Sequence, residues 1–306
     1  MLLSEFIASA LAGLESLSPR AEARSMVSIL VCERLGVQSW THIANPSFEV
    51  PEQSLAQLEA DLQKLLASEP LQYVLGYAEF YGRRFRVTKD VLIPRPETEL
   101  LVDTVLQKLK SASRDCDGAP KILDLCTGSG CIAWTLALEP VGVQLTAIDI
   151  SPAALSIARS QFSAELARGA EVTFIEADVL DLSEEGLSGT HSKLALGQFD
   201  VIVSNPPYVM EQEKALMRSN VLDHEPALAL FVPDDDPLIF YRAIAHHASR
   251  LLSAHGWGIV EINTLLAEPT AECFRQAGLQ DVTILPDLSG KPRFVSFSSG
   301  TPPLSR

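Results

Sequence analysis

Four consecutive residues, Asn205-Pro206-Pro207-Tyr208, follow directly on an apolar run, Phe199 to Ser204, that reads as a buried strand. In open α/β sheets, ligands bind beyond the carboxyl ends of the strands. The two prolines fix their φ angles and have no N–H to donate, so the backbone there offers acceptors beside the Asn205 side chain. An amide oxygen, a carbonyl oxygen and a tyrosine ring suit a flat –NH2 group: two acceptors for its hydrogens and a face to stack on. This is the arrangement needed to put a methyl group on a planar nitrogen.

A second cluster lies upstream. The run Lys121-Ile122-Leu123-Asp124-Leu125 leads into Cys126-Thr127-Gly128-Ser129-Gly130 and then an apolar helix. Glycines at a strand-to-helix turn let a ligand come close to the backbone, and the helix start offers free N–H groups. Dinucleotide-binding proteins use a similar turn, but the full G-x-G-x-x-G pattern is absent: position 126 is Cys and position 133 is Ala. The next strand ends at Asp149, where a carboxylate can accept from two ribose hydroxyls. The one after it ends at Asp178, which can accept from an adenine amino group. All these residues fall after successive strands, so they converge on one rim of a sheet.

The elements that must position them alternate. Expected are a helix from Glu97 to Leu109, strand 121–125, a helix after Gly130, strand 143–148, helix 152–167, strands 172–175 and 199–204, and helix 237–252. Strand 258–262, helix 265–277 and strands 282–285 and 293–298 complete the pattern. Such alternation argues an α/β fold with a mostly parallel twisted sheet covered on both faces. The last two strands, joined by a loop alone, supply an antiparallel strand at one edge. Residues 183–197 read as a mobile insertion and 301–306 as a disordered tail.

Residues 1–75 read as helices only. Leu3, Phe6, Ile7, Ala10, Leu11 and Leu14 share one face of the first, an amphipathic helix and not a signal peptide. Ser18 is the expected cap of the second, with Pro19 at its first position. The segment carries four basic residues (Arg20, Arg24, Arg34, Lys64) against nine acidic ones, and its acidic outer face suits docking to a protein. Residues 76–95 read as a hairpin-like connector, locally basic through Arg83, Arg84, Arg86, Lys89 and Arg95. The expected domains are therefore 1–75, the connector 76–95, and a catalytic domain 96–300.

At 47% hydrophobic and 21% charged residues, the 306-residue chain can bury an ordinary core. Its net charge of −15 argues against direct nucleic-acid binding, which rests on Lys and Arg neutralising phosphates. No apolar run reaches the roughly 20 residues of a membrane span. Five cysteines without a C-x-x-C pair fit reduced thiols and a cytoplasmic location. No metal is expected.

The stretches Leu71 to Gly82 and Val91-Leu92-Ile93-Pro94-Arg95-Pro96-Glu97-Thr98-Glu99 resemble the linker of the HemK/PrmC glutamine methyltransferases. The glycine turn, Asp149, the Asn-Pro-Pro-Tyr corner and Asp287 to Arg293 resemble that family's motifs in the same order, over roughly residues 70–297. The resemblance implies a Rossmann-like class I methyltransferase fold with a small N-terminal helical domain, and S-adenosyl-L-methionine as methyl donor. It implies as acceptor the side-chain amide of the glutamine in the Gly-Gly-Gln loop of peptide-chain release factors. By the same motifs, Thr127, Gly128, Ser129 and Gly130 line the methionine end of the donor, Asp149 holds its ribose, and Asp178 its adenine amine, with Val179 against the ring. Asn205 and the Pro206 carbonyl grip the substrate amide, with Pro207 completing the corner and Tyr208 packing on it.

The chain departs from the pattern at Cys126, where glycine is usual and a Cβ tightens the cofactor turn. It departs also at Val179, where a larger side chain is common, at Asn263, where glycine follows Glu-Ile, and in the loop 232–237. No histidine shows catalytic spacing; His224-Glu225-Pro226 is a secondary candidate for lining the site. Two other readings compete: an amino-methyltransferase of adenine in DNA or RNA, and a cofactor-binding assembly factor without activity.

Overall fold

A computed structural model describes residues 1–112, 118–139, 142–162, 170–182 and 198–299. The expected insertion 183–197 and tail 301–306 lie outside the described residues. The chain divides into two compact units: Met1–Tyr77 with Met217–His224, and Ala78–Leu216 with Glu225–Arg306.

The first unit is helical: α1 (Leu3–Leu14), α2 (Arg20–Leu35), α3 (Thr41–Ala44), α4 (Glu52–Leu66) and α5 (Leu71–Leu75). The leucine and phenylalanine stripe anticipated for α1 is buried at Leu3, Phe6, Ala10 and Leu14, against Val27 and Leu30 of α2 and Leu58 and Leu62 of α4. Within this core, fully buried Asp61 accepts from Arg34 Nε at 2.6 Å and Gln57 Nε2 at 2.9 Å. Arg34 also donates to the Val74 carbonyl at 2.8 Å, tying α2, α4 and α5 together. Gly36, at φ 65°, ends α2 in the left-handed conformation that glycine adopts without strain. The start of α2 corrects the expected cap. Pro19 is itself the N-cap, because its ψ of 141° keeps it outside the helix, and Ser18 falls one residue too early.

Strands β1 (Tyr77–Phe80) and β2 (Arg83–Arg86) form a hairpin. Its turn residues, Tyr81 and Gly82, both have positive φ (50° and 70°), the combination that matches strand twist in tight hairpins. Helix α6 (Pro96–Ala112) follows, then β3 (Lys121–Leu125), α7 (Cys131–Leu138), β4 (Gln144–Asp149), α8 (Pro152–Arg159), β5 (Glu171–Glu176) and β6 (Phe199–Ser204). Helix α8 ends at Arg159, short of the expected span, of which residues 163–167 lie outside the described residues. Between β6 and the next long helix the sequence pattern showed nothing regular, yet short elements occur: β7 (Val209–Met210), α9 (Ser219–Leu222) and β8 (Phe231–Val232). The remainder is α10 (Ile239–Leu251), β9 (Leu252–Glu261), α11 (Ala267–Gln276), β10 (Gln280–Pro286) and β11 (Pro292–Ser298).

Seven strands make one sheet in the order β10-β11-β9-β6-β3-β4-β5. Five run parallel through β3, and the pair at one edge supplies the antiparallel strand. That strand is β11, antiparallel to both β9 and β10, so β10 is the outermost one. One face is buried by α6 and α7 through Leu101, Val105, Ile132 and Leu136. The other is buried by α10 and α11 through Tyr241, Ile244, Ala271 and Phe274. Helices on both faces explain why the central strands are continuous apolar runs. The chain winds outward from β3 in both directions, so the rim between β3 and β6 is the switch point at which such sheets bind ligands.

Candidate active site

Strand register brings the separate motifs to one rim. Leu125, the last residue of β3, pairs with Ile148 on one side and Ser204 on the other. The glycine turn, Asp149 and Asn205 therefore start side by side. Ser204 in turn pairs with Val260, which sets Glu261 beside Asn205.

The glycine turn is closed by the Gly130 N–H donating to the Thr127 carbonyl at 2.9 Å. A methyl group built on Gly128, at φ 55°, would meet nothing within 4 Å, so the turn leaves a cradle open to a ligand. On Gly130 it would meet Ala158 and Trp134 at 3.0 and 3.1 Å; this glycine is required by packing between α7 and α8. Cys126 has φ 61°, a left-handed conformation that favours glycine, and so carries backbone strain. Burial pushes its thiol well above the ordinary range, and the charges of Asp149 and Asp124 push the same way, so it stays protonated.

Asp149 spans the turn. Its Oδ2 accepts from the Gly128 N–H at 2.8 Å and its Oδ1 from the Ser151 N–H at 2.9 Å, leaving further lone pairs for hydroxyls. Burial raises its pKa, and those backbone amides oppose the rise. Beneath the turn, fully buried Asp124 accepts from Thr127 Oγ1 at 2.6 Å through Oδ2. Burial pushes this carboxyl up to about 7, against the Thr127 hydrogen bond and with the Asp149 charge.

A cavity opens over the turn. Of the residues expected at the cofactor site, Cys126, Thr127, Gly128, Ser129, Asp149, Asp178 and Val179 form its wall; Gly130 does not. Asp178 Oδ1 accepts from the Leu180 N–H at 2.8 Å, and the Val179 carbonyl accepts from His247 Nε2 at 2.9 Å, which fixes this stretch against α10. From the corner, Asn205 and Pro207 reach the wall, whereas Pro206 and Tyr208 do not. The charged lining is Asp90, Asp149 and Asp178 with Arg95 as its cation, and Arg95 Nη2 is held by Glu225 Oε1 at 2.7 Å. A carboxylate-rich wall repels a pyrophosphate and suits a positively charged ligand with hydroxyl and amino groups, so the residues present fit S-adenosylmethionine.

Sequence reading assigned no site role to Thr98 or Glu261, which support the corner. Asn205 Nδ2 donates to Thr98 Oγ1 at 3.1 Å, Thr98 Oγ1 donates to Glu261 Oε2 at 2.7 Å, and the Tyr208 hydroxyl donates to Glu261 Oε1 at 3.0 Å. Tyr208 therefore uses its polar end inward. Burial raises the Glu261 pKa, with Thr98, Tyr208 and Arg293 opposing; burial and the Glu261 charge raise that of Tyr208. Asn263 Nδ2 reaches the Tyr208 carbonyl at 3.1 Å. Glu225, named within the secondary candidate triplet, accepts from Arg95 and from the Ile93 N–H, joining two segments of the cavity wall. Of the secondary candidate triplet only Pro226 lines the cavity; His224 lies 3.3 Å from the Ala67 carbonyl in the helical unit. A signal for Thr98 and Glu261 did exist: polar residues inside apolar or helix-start contexts at strand-end positions. Their pairing did not show.

Three of the five basic residues of the connector have acidic neighbours. Arg83 pairs with Glu139 at 2.8 Å and Arg84 approaches Glu79 at 3.9 Å, while Arg95 is held as above.

Residues 5–76 match a family model described as PrmC N-terminal domain, and residues 97–226 one described as methyltransferase small domain. A release factor glutamine methyltransferase of Bacteroides thetaiotaomicron is 40% identical over 92% of this chain and 95% of its own. One of Koribacter versatilis is 38% identical over 96% and 98%. A bifunctional methyltransferase of Rickettsia bellii is 33% identical over 92% of this chain and 51% of its own length. Among solved structures, the hMettl16 catalytic domain superposes with a TM-score of 0.53 at 16% identity, covering 79% of this chain and 82% of that one, a likeness of fold. The near-full-length relatives and the matching N-terminal domain agree with the geometry of the rim: the chain belongs to the release factor glutamine methyltransferase family.

Proposed function

We propose that this protein transfers a methyl group from S-adenosyl-L-methionine to the side-chain amide nitrogen, N5, of the glutamine in the Gly-Gly-Gln loop of class I peptide-chain release factors. The observation that carries the reading is the Asn205 carboxamide on the wall of a carboxylate-lined cavity, beside a glycine cradle, in a chain 40% identical to a release factor glutamine methyltransferase.

When bound, S-adenosylmethionine supplies an electrophilic methyl carbon on a sulfonium. The protein's own task is alignment, because an amide nitrogen is a weak nucleophile whose lone pair is shared with its carbonyl. Asn205 Oδ1, on the cavity wall, accepts one hydrogen of the substrate –NH2 and aims its nitrogen; the Pro206 carbonyl is the second acceptor, and because Pro206 lies outside that wall the substrate amide must reach past it. As positive charge grows on that nitrogen, these two oxygens stabilise it more than they stabilise the ground state. The acidified N–H then loses its proton to water, so no side chain is needed as base. Asp149 holds the ribose hydroxyls, Asp178 the adenine amine, with Val179 against the ring; Thr127, Gly128 and Ser129 face the methionine end. The helical unit, residues 1–75, is assigned to docking of the protein substrate, and its exposed Trp40 and Ile43 suit that role. A release-factor substrate supports a cytoplasmic location.

The test is mass analysis of the Gly-Gly-Gln peptide of a purified release factor before and after incubation with enzyme and donor. A gain of one methyl on the glutamine is expected. Methylation of DNA or ribosomal RNA in parallel reactions, with the peptide unchanged, would overturn the reading in favour of the adenine alternative.

A further inference from the structure

A carboxamide has an oxygen at one end and an –NH2 at the other, nearly equal in shape. The proposed mechanism works only if the oxygen of Asn205 faces the substrate. Something must hold it that way round, because the reversed rotamer would present two N–H donors to an –NH2 group.

The hydrogen bonds behind Asn205 answer this in order. Glu261 is fully buried and its two carboxylate oxygens each receive a hydroxyl, from Thr98 at 2.7 Å and Tyr208 at 3.0 Å; the charge of Arg293, itself paired with Asp287, favours the ionised form. A carboxylate accepts and cannot donate. The Thr98 proton is therefore committed to Glu261, and Thr98 Oγ1 has only lone pairs left for its other neighbour. That neighbour is Asn205 at 3.1 Å, which must meet it with Nδ2. The oxygen is left pointing away from Thr98.

We infer that Thr98 and Glu261 are positioning residues that fix the polarity of the Asn205 carboxamide, a chain of donors and acceptors running from a buried carboxylate to the reacting amide. The inference rests on the proposed role of Asn205. The register supplies its scaffold: Ser204 paired with Val260 sets Asn205 and Glu261 side by side, and Thr98 stands in the first turn of α6. In Glu261→Gln the side chain keeps its shape but gains an –NH2. If that end faces Thr98, the hydroxyl is released to donate to Asn205, and the carboxamide is free to turn round.

The experiment measures methyl transfer to a release factor and donor affinity for Thr98→Val, Thr98→Ser and Glu261→Gln, each alone and combined with Asn205→Ala. Expected are a 10- to 100-fold fall in kcat for Thr98→Val and Glu261→Gln, donor affinity within threefold of wild type, and near-full activity for Thr98→Ser, which keeps the hydroxyl. In the Asn205→Ala background the same substitutions should cost nothing further, since their effect runs through Asn205; a general packing role would add its cost again. Wild-type kcat in Thr98→Val, or additive losses with Asn205→Ala, overturns the inference. Should Glu261→Gln fail to fold, the Thr98 pair decides alone. Full activity of Asn205→Ala by itself would sink the underlying reading of the corner, a separate outcome.

Discussion

Asn263 reaches across the rim to Tyr208: its Nδ2 lies 3.1 Å from the Tyr208 carbonyl and 2.8 Å from Glu213 Oε2, while its Oδ1 caps the following turn at the Leu265 N–H, 2.9 Å away. The resemblance implies glycine at this position. In this chain the side chain ties the end of β9 to the last residue of the Asn-Pro-Pro-Tyr corner, so the departure has a structural use. Asn263→Gly removes all three bonds. A loss of about 1–2 kcal/mol of stability is expected from the unpaired groups, with a several-fold fall in kcat as the corner loosens. Chemical denaturation and single-turnover rates read the two effects, and unchanged values in both would deny Asn263 this role.

Glu225 clamps the front of the cavity. Its carboxylate is almost fully buried, whereas Arg95 is about one-third exposed. Arg95→Ala leaves that carboxylate with the Ile93 N–H alone. Removing one partner of a buried pair costs about 3–5 kcal/mol; solvent access to Arg95 reduces this to roughly 2 kcal/mol here. Glu225→Gln keeps an acceptor for only one of the two donors and turns an –NH2 towards the other, but it leaves no buried unpaired charge and should cost less than Arg95→Ala. Equal losses in the two variants, by urea denaturation, would contradict the clamp.

Asn205→Ala should lower kcat by at least about 100-fold, the range seen when a donor or acceptor aimed at developing charge is removed. Donor affinity should change little, because the cradle and Asp149 are untouched. Isothermal titration with the donor and methyl incorporation into release factor separate the two quantities.

Cys126→Gly replaces a strained residue with the one that its φ of 61° favours. Relief of about 1 kcal/mol is expected, partly offset by the added freedom of glycine in the unfolded chain. The wild-type thiol, kept protonated by burial, should alkylate at pH 8 at least tenfold more slowly than a free cysteine. Rapid labelling of Cys126, followed by peptide mapping, would refute that environment.

Asp124 makes a pH-dependent prediction. Its folded pKa is raised from 3.8 to about 7, so between those values the native state holds a proton that the unfolded chain has lost. Its contribution to stability is present in full below 3.8 and is lost as pH rises through 7. Asp124→Asn does not titrate. The stability of the variant relative to wild type should therefore climb between about pH 4 and pH 7, with a slope of about 1.4 kcal/mol per pH unit, and then level off. Parallel curves for the two proteins across that range would show that the carboxyl is not perturbed.

Much of the fold was readable because its cues are short-range. Strand 121–125, the glycine turn, Asp149 at a strand end and the run before Asn205 each follow from hydrophobic runs and from the φ limits of Gly and Pro, which act within a few residues. The cap of α2 and the length of α8 were read less well, since helix ends turn on single ψ angles and on contacts outside the window. Gly130 carries a different lesson. Its place in a glycine-rich turn suggested ligand contact, yet Ala158 and Trp134 fill the space beside it.

What the chain determined by its order of residues is the chemistry on offer: an amide, a proline corner, a glycine cradle and two strand-end carboxylates, all delivered to one rim by alternation alone. What only the tertiary structure decided is how those groups are held. Glu261 lies 163 residues from Thr98 and Glu225 lies 130 from Arg95. Buried polar groups are satisfied by whichever partner the strand register and helix packing bring within about 3 Å, and no local pattern encodes that choice.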